Sequence, residues 1–397
     1  MLARARWILC GLLLLPLSLT AQNVTVSGQV RPRTEVRDPA GATGGSRTWT
    51  SMRTRIAASF APSNTVRAFV QLQDVRIFGE ESNTLSDFRA DNLDLHQGWV
   101  QVGRDDAGLS LRAGRQELSY GGQRLIGAVG WAQQGRAFDG ARLRAFPSER
   151  AQVDVLGIQL SESFAASRDA DATFWGAYGV IQAGAGRSLD LFALRQGFEA
   201  ADADTKQWTA GLRYVATDGG FTYRVEGAVQ TGERGGQDVS AHLLGARVGR
   251  DFADGKAGLT LWADLLSGTD PTSSEVGSFD TLFGTNHKFY GYADLFLNIP
   301  VHTSGRGLVD LAVKGRWQVH SDWTASIDVH RFTVAESAGL ESSSLGTEID
   351  LTLARAAFSG VRISGGAARV LAGDALGPVR GIFDDVTFAY LMLDVVF

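Results

Sequence analysis

One cysteine occurs in the 397 residues, Cys10, and it sits in the N-terminal apolar stretch. Beyond that stretch neither a disulfide nor thiol chemistry is available. Proline is scarce, at 8 residues against 48 glycines. Glycine suits tight turns and strand bends, and few prolines leave ladder donors intact. After the N-terminus no apolar run reaches the roughly 20 residues that a spanning helix needs. A membrane-spanning reading therefore requires a closed barrel, in which every backbone group finds a partner. Catalytic and cofactor patterns are missing too. There is neither a G-x-S-x-G nor a Walker sequence, and Gly184-Ala185-Gly186 is followed by no helix and reads as a turn. The histidines at 96, 242, 287, 302, 320 and 330 lack metal-ligand spacing, so no metal and no cofactor is expected. Ser326 and His330 share a strand face, as in a barrel hydrolase, but Asp328 lies on it as well and turns it inward. No enzyme is expected.

Residues 1–21 read as a secretory signal peptide, with basic Arg4 and Arg6, an apolar run from Trp7 to Leu19, and small Ala21 before Gln22. Its removal lowers the 38 basic residues to about 36 against 43 acidic ones, a net of about −7. That balance argues against nucleic acid as a partner. It does not set the potential inside a pore, which depends on where each charge points.

Period-two alternation recurs along the rest of the chain, 22–397. Val24, Val26, Gly28 and Val30 alternate with Thr25, Ser27, Gln29 and Arg31. Met52, Thr54, Ile56 and Ala58 alternate with Arg53, Arg55, Ala57 and Ser59, and Val225 and Val229 with Arg224 and Glu226. The segments are long enough to cross a bilayer at a tilt. Short links such as 61–64, 105–108, 147–149, 217–220 and 253–255 alternate with longer ones at 38–46, 77–92, 119–134 and 161–170. This spacing predicts an all-β, antiparallel transmembrane barrel of about 18 strands with both termini periplasmic. Two of its strands are expected at 109–118 and 135–146. Residues 268–306 are read as one outer loop that can fold back into the barrel, because a strand at Phe289–Leu297 would make the count odd. The chain ends in Phe397, preceded in twos by Val395, Leu393, Leu391 and Ala389. This is the terminal pattern that the outer-membrane assembly machinery reads.

Several motifs then fall in order: Gly114-Arg115-Gln116-Glu117-Leu118, Gly121-Gly122-Gln123-Arg124-Leu125-Ile126-Gly127, Trp131, and Arg136-Ala137-Phe138-Asp139-Gly140. Later come Phe279-Asp280-Thr281-Leu282-Phe283, His287, Gly291 to Asp294, and Leu345-Gly346-Thr347-Glu348-Ile349-Asp350-Leu351. Across nearly the whole mature chain this set resembles the alginate-export family of outer-membrane barrels. The resemblance implies an 18-stranded barrel, embedded in outer-membrane lipid and lipopolysaccharide, passing an anionic saccharide or smaller anion through an arginine-lined lumen. It gives the motif residues Arg115, Arg124, Arg136, Asp139, His287 and Asp294 their interest. In one respect the chain departs from the family: the long late periplasmic turn that gates alginate exporters is replaced by a short link at 356–359.

The alternation places Arg31, Arg33, Glu35, Arg53, Arg55, Arg67, Arg142, Arg144, Arg224, Glu226, Glu348 and Asp350 on the polar, lumen-facing side. An arginine facing mid-bilayer lipid would cost roughly 2–4 kcal/mol. Guanidinium groups suit carboxylate solutes, although Arg–carboxylate pairs that stiffen the wall use the same residues. Two segments break phase. Arg115 and Glu117 follow outward Leu109, Leu111 and Ala113, and Asp139 shares a face with Ala141 and Leu143. Either they lie beyond the lipid boundary or a bulge at Gly114 or Gly140 flips the face. The acids Glu80, Glu81, Asp87, Asp91 and Asp94 read as a solvated loop, and the dispersed tryptophans as interfacial girdles.

Overall fold

The computed structural model of the chain describes residues 24–39, 44–80, 93–162, 171–199 and 204–397. The expected signal peptide, 1–21, and most of the acidic loop, 81–92, lie outside the described residues. Eighteen antiparallel strands follow one another in chain order and close into a barrel. They are β1 (Val24–Asp38), β2 (Arg47–Ser63), β3 (Val66–Ile77), β4 (Leu93–Gly103), β5 (Leu109–Gln116) and β6 (Phe138–Ser148). Next come β7 (Ala151–Ser161), β8 (Ala172–Gln182), β9 (Arg187–Phe198), β10 (Thr205–Asp218), β11 (Phe221–Arg234) and β12 (Gln237–Phe252). The last six are β13 (Ala257–Leu266), β14 (Leu308–His320), β15 (Trp323–Thr333), β16 (Ser344–Phe358), β17 (Val361–Ala372) and β18 (Val386–Val396). β1 pairs with both β2 and β18, so the sheet has no free edge. An even strand number returns both ends of the barrel to one side.

The expected strands are present, with shifted ends. β6 begins at Phe138 rather than 135 and runs through Pro147 and Ser148, while Ala61 to Ser63 belong to β2. Phe289–Leu297 forms no strand. The tight links follow local stereochemistry. Gly219 and Gly220, at φ of +56° and +81°, make the two-residue turn between β10 and β11, which needs left-handed backbone at both positions. The β16–β17 link is equally short, Ser359-Gly360, so the late gating turn is indeed absent. At the seam, Phe397 N–H donates to Gly28 O at 3.0 Å and Phe397 O accepts from Gly28 N–H at 2.7 Å. The Phe397 ring lies across Gly28, where a Cβ would collide with it.

The outer face is apolar and exposed, as Ile56 is at 57% beside inward Ala57 at 3%. The inner face changes character along its height. Toward the periplasmic end it carries Asp154, Asp190, Glu226 and Asp328. Two or four residues nearer the outer end, the same strands turn Leu156, Leu194, Ala228 and Phe332 inward. These residues pack with Phe279, Phe289, Tyr290, Phe296 and Leu376 into one core inside the barrel. That core exists because the β5–β6, β13–β14 and β17–β18 links, the last two carrying α1 (Ile299–His302) and α2 (Leu376–Arg380), fold into the lumen. The 268–306 loop, read as an outer loop able to fold back, lies inside. The 117–137 loop, expected only as a long outer link, joins it there, and Ile126 and Phe283 form a parallel bridge between the two.

The phase breaks resolve without a bulge. Register runs unbroken through Gly114↔Gly140, and Arg115 stands opposite Asp139. The two form an ion pair at 2.7 Å on the outer wall, partly exposed, at the outer ends of β5 and β6. Arg115 and Asp139 therefore do not line the lumen. Glu117 lies past the end of β5 and faces inward, 3.3 Å from Arg55. The tryptophans divide as well. Trp175, Trp208 and Trp317 are exposed near strand ends, whereas Trp99, Trp131 and Trp262 have interior partners and form no girdle.

Candidate functional site

Two of the inward loops, 117–137 and 268–306, are pinned together by Arg124. Its guanidinium donates to Glu226 on β11 at 3.1 Å, Asp264 on β13 at 2.7 Å and the Tyr290 hydroxyl at 2.6 Å. It also lies 4.0 Å over the Phe289 ring. A second tie comes from β16. Glu348 accepts from Ala293 N–H at 2.7 Å and Asp350 from Tyr292 N–H at 3.3 Å. Gly291 makes this approach possible: its φ is +80°, and a Cβ there would strike the Glu348 carboxyl.

Three rings stack where the loops meet. Trp131 lies 4.2 Å from His287, which lies 5.1 Å from Tyr292, with small interplanar angles. Asp294 holds His287 Nδ1 at 2.6 Å. The family-motif residues Arg124, His287 and Asp294 thus lie where the 117–137 and 268–306 loops meet, a placement that spacing alone did not assign to them.

Loops cover most of the inner wall, and the face they cover on β1 and the adjoining part of β2 is polar. There Arg31, Arg33, Glu35 and Arg53 are buried against the 130–133 segment. Arg31 donates to the carbonyls of Gly130, Trp131 and Ala132 and to Gln133 Oε1, at 2.7 to 3.1 Å. Arg53 donates to Gln29 Oε1 and the carbonyls of Ala132 and Gln133. Arg37 reaches Ala293 O at 2.5 Å, and Arg136 reaches Phe283 O. Among the described residues none of Arg31, Arg37, Arg53 and Arg136 pairs with a carboxylate. Neutral oxygens orient these guanidiniums without cancelling their charge. An outer cavity of about 490 Å³ opens beside Arg37 and Arg136, lined also by Arg33, Glu35, Trp131, His287 and Asp294.

Other predicted cations are neutralised. Arg33 pairs with Glu35 at 3.0 Å and Arg55 with Glu117. Arg144 pairs with Asp154 at 2.7 Å and Arg142 with Asp105 at 2.8 Å, while Arg224 pairs with Glu226. For Arg142, Arg144 and Arg224 the wall-stiffening arrangement is the one seen. Arg67 is exposed at the periplasmic mouth, in a cavity of about 680 Å³ shared with Arg104 and Asp105. Sequence reading passed over Arg112, which pairs with Asp105 at 2.8 Å, and Arg247, 3.8 Å from Asp264. Both were visible on the polar side of alternating segments.

The family model for alginate export matches residues 22–382. The chain belongs to the alginate-export family. This alginate-export barrel is accordingly a channel-type barrel of the Gram-negative outer membrane, not an enzyme. Solved structures share its fold at low identity. OccAB4 of Acinetobacter baumannii aligns with a TM-score of 0.68 at 11% identity, covering 95% of this chain and 99% of that one. OccK3 (OpdO) of Pseudomonas aeruginosa aligns at 0.64 and 14%, covering 94% and 95%. OpdK of Pseudomonas aeruginosa, in a structure with vanillate, aligns at 0.59 and 12%, covering 94% and 98%. No curated protein matches the chain.

Proposed function

We propose that this barrel passes small carboxylate-bearing solutes, such as uronate oligomers or comparable organic anions, along the β1–β3 wall. The observation that carries the reading is the set of guanidiniums held by neutral oxygens, Arg37 and Arg136 lining the outer cavity and Arg31 and Arg53 buried behind the 130–133 segment. Arginine suits carboxylates, being always charged and able to bind two oxygens at once. Transport needs such groups to attract a solute without trapping it. The inward loops favour oligomers or single-ring anions over a polymer strand, because they fill the lumen along most of the wall. That the structurally similar OpdK was solved with vanillate, a small carboxylate, supports the same scale. A plugged barrel is the second reading, favoured by the apolar core inside the lumen.

The test is reconstitution of the mature protein in planar bilayers. An anion-selective conductance blocked by uronate dimers is the expected outcome. Cation preference removes the proposal, and no conductance at all favours the plugged barrel.

Phe397 is proposed as the signal read by the assembly machinery, in addition to closing the seam against Gly28. Deleting it should lower the heat-modifiable, folded fraction in outer membranes while leaving refolding in detergent intact. A matching loss in detergent would assign Phe397 to the seam alone.

A further inference from the structure

A second charged cluster lies on the inner wall, away from the arginines, on three adjacent strands. β14 contributes Asp310 and Lys314, β15 Asp328 and His330, and β16 Glu348 and Asp350. Register brings them together, with Lys314 opposite Asp328, Asp328 opposite Asp350 and His330 opposite Glu348. Ligand atoms of Asp328, His330 and Asp350 all lie within 4.8 Å of one another.

The cluster is short of positive charge. Four carboxylates surround one ammonium, that of Lys314, which lies 2.9 Å from Asp328 Oδ2 and 3.0 Å from His330 Nε2. Two oxygens find no donor, Glu348 Oε2 and Asp350 Oδ1, although these residues are 0% and 1% exposed. Buried carboxylate oxygens without donors are costly, and they are relieved either by a shared proton or by a nearby cation.

We infer that this cluster is a divalent-cation site of the zinc class, with His330 Nε2, Asp328 and Asp350 as its ligands and Glu348 beside them. The second side of His330 is prepared for this. Its Nδ1 lies 2.9 and 3.0 Å from the two oxygens of Asp310, which leaves Nε2 with its lone pair toward the site. A carboxylate behind a ligating imidazole fixes the tautomer and raises its basicity. Mixed imidazole and carboxylate donors fit Zn²⁺ or a neighbouring transition ion, whereas Ca²⁺ and Mg²⁺ prefer oxygen alone. The Lys314 ammonium holds the position that the metal would take. An ion can arrive, and the lysine can withdraw, through a periplasmic-side cavity of about 440 Å³ lined by Lys314, Asp328, Tyr292 and Arg316. The sequence gives no hint of this site, because its ligands come from two strands joined only by register.

The test uses the full-length mature barrel in detergent, stripped with EDTA and titrated with ZnCl₂ by calorimetry, with bound zinc counted by mass spectrometry. One zinc per barrel is expected. His330→Ala should weaken binding by more than about tenfold, and Asp310→Asn by about tenfold through the lost orientation of the ring. Lys314→Met should strengthen binding, since a competing cation is removed. His330→Gln serves if His330→Ala loses the heat-modifiable mobility of a folded barrel. Absence of saturable zinc binding, or unchanged binding in the His330 variants, overturns the site. Equal or tighter Ca²⁺ binding overturns its zinc character. Because binding is read without conductance, the outcome is independent of which solute the barrel passes.

Discussion

Replacing Arg124 with methionine is expected to raise single-channel conductance severalfold while leaving the barrel folded. Arg124 is buried and joins four elements: its own loop, Glu226 of β11, Asp264 of β13 and Tyr290 of the other inward loop. Methionine keeps much of the volume but leaves two carboxylates buried with less compensation. Breaking a buried ion pair in this way costs roughly 3–5 kcal/mol. The strands do not bear that loss directly, since each is paired along both sides. The loops do, because they have no ladder to fall back on, and the Phe289 and Tyr290 packing that fills the lumen rests on them. The loops should therefore detach before the wall does. Heat-modifiable mobility reports the wall and bilayer recordings report the lumen. Arg124→Lys should fall between, as it keeps the charge and loses the forked geometry. Unchanged conductance in Arg124→Met would show that the loops are held by something other than Arg124.

The second large effect is on selectivity. The double variant Arg37→Gln/Arg136→Gln is expected to reduce anion preference severalfold, read as a shift in reversal potential across a salt gradient. Both residues line the outer cavity, and each donates to a single loop carbonyl rather than to a carboxylate. A unit charge about 8 Å from a passing anion contributes roughly 2 kcal/mol at an effective dielectric of about 20, and salt reduces this further. Arg31 and Arg53 are poorer targets, because they also hold the 130–133 carbonyls and their loss would move the loop. Arg33 is a built-in control. Glu35 neutralises it at 3.0 Å, so Glu35→Gln should increase anion preference. If the double variant keeps its reversal potential, solutes do not run beside Arg37 and Arg136.

Much of the wall was legible in the sequence, for a local reason. A strand facing lipid on one side and polar groups on the other must alternate, and that pattern is set by neighbours two residues apart. The lumen orientation of Arg31, Arg53, Glu226 and Asp350 followed from it. The inward loops were only half legible. A signal for them was present in Leu156, Ile158, Phe174, Leu194 and Phe388, which make the outer halves of their strands apolar on both faces. Such a strand needs an apolar partner inside the barrel, and the 117–137, 267–307 and 373–385 segments supply it. Those residues break the alternation and so signal inward loops, without saying which link covers which strand.

The chain's order of residues alone determined an all-β barrel of about 18 strands, which side of each strand meets lipid, and the family to which it belongs. These depend on spacing along one segment, and spacing survives without coordinates. Tertiary structure alone decided which arginines keep their charge, that Arg115 and Asp139 pair on the outer wall, and that His330 meets Asp310, Asp328 and Asp350. Each of these depends on cross-strand register and on where a loop carbonyl comes to rest, between residues tens to hundreds of positions apart. Electrostatic and hydrogen-bonding energies fall off over a few ångströms of space, and sequence distance does not measure that space.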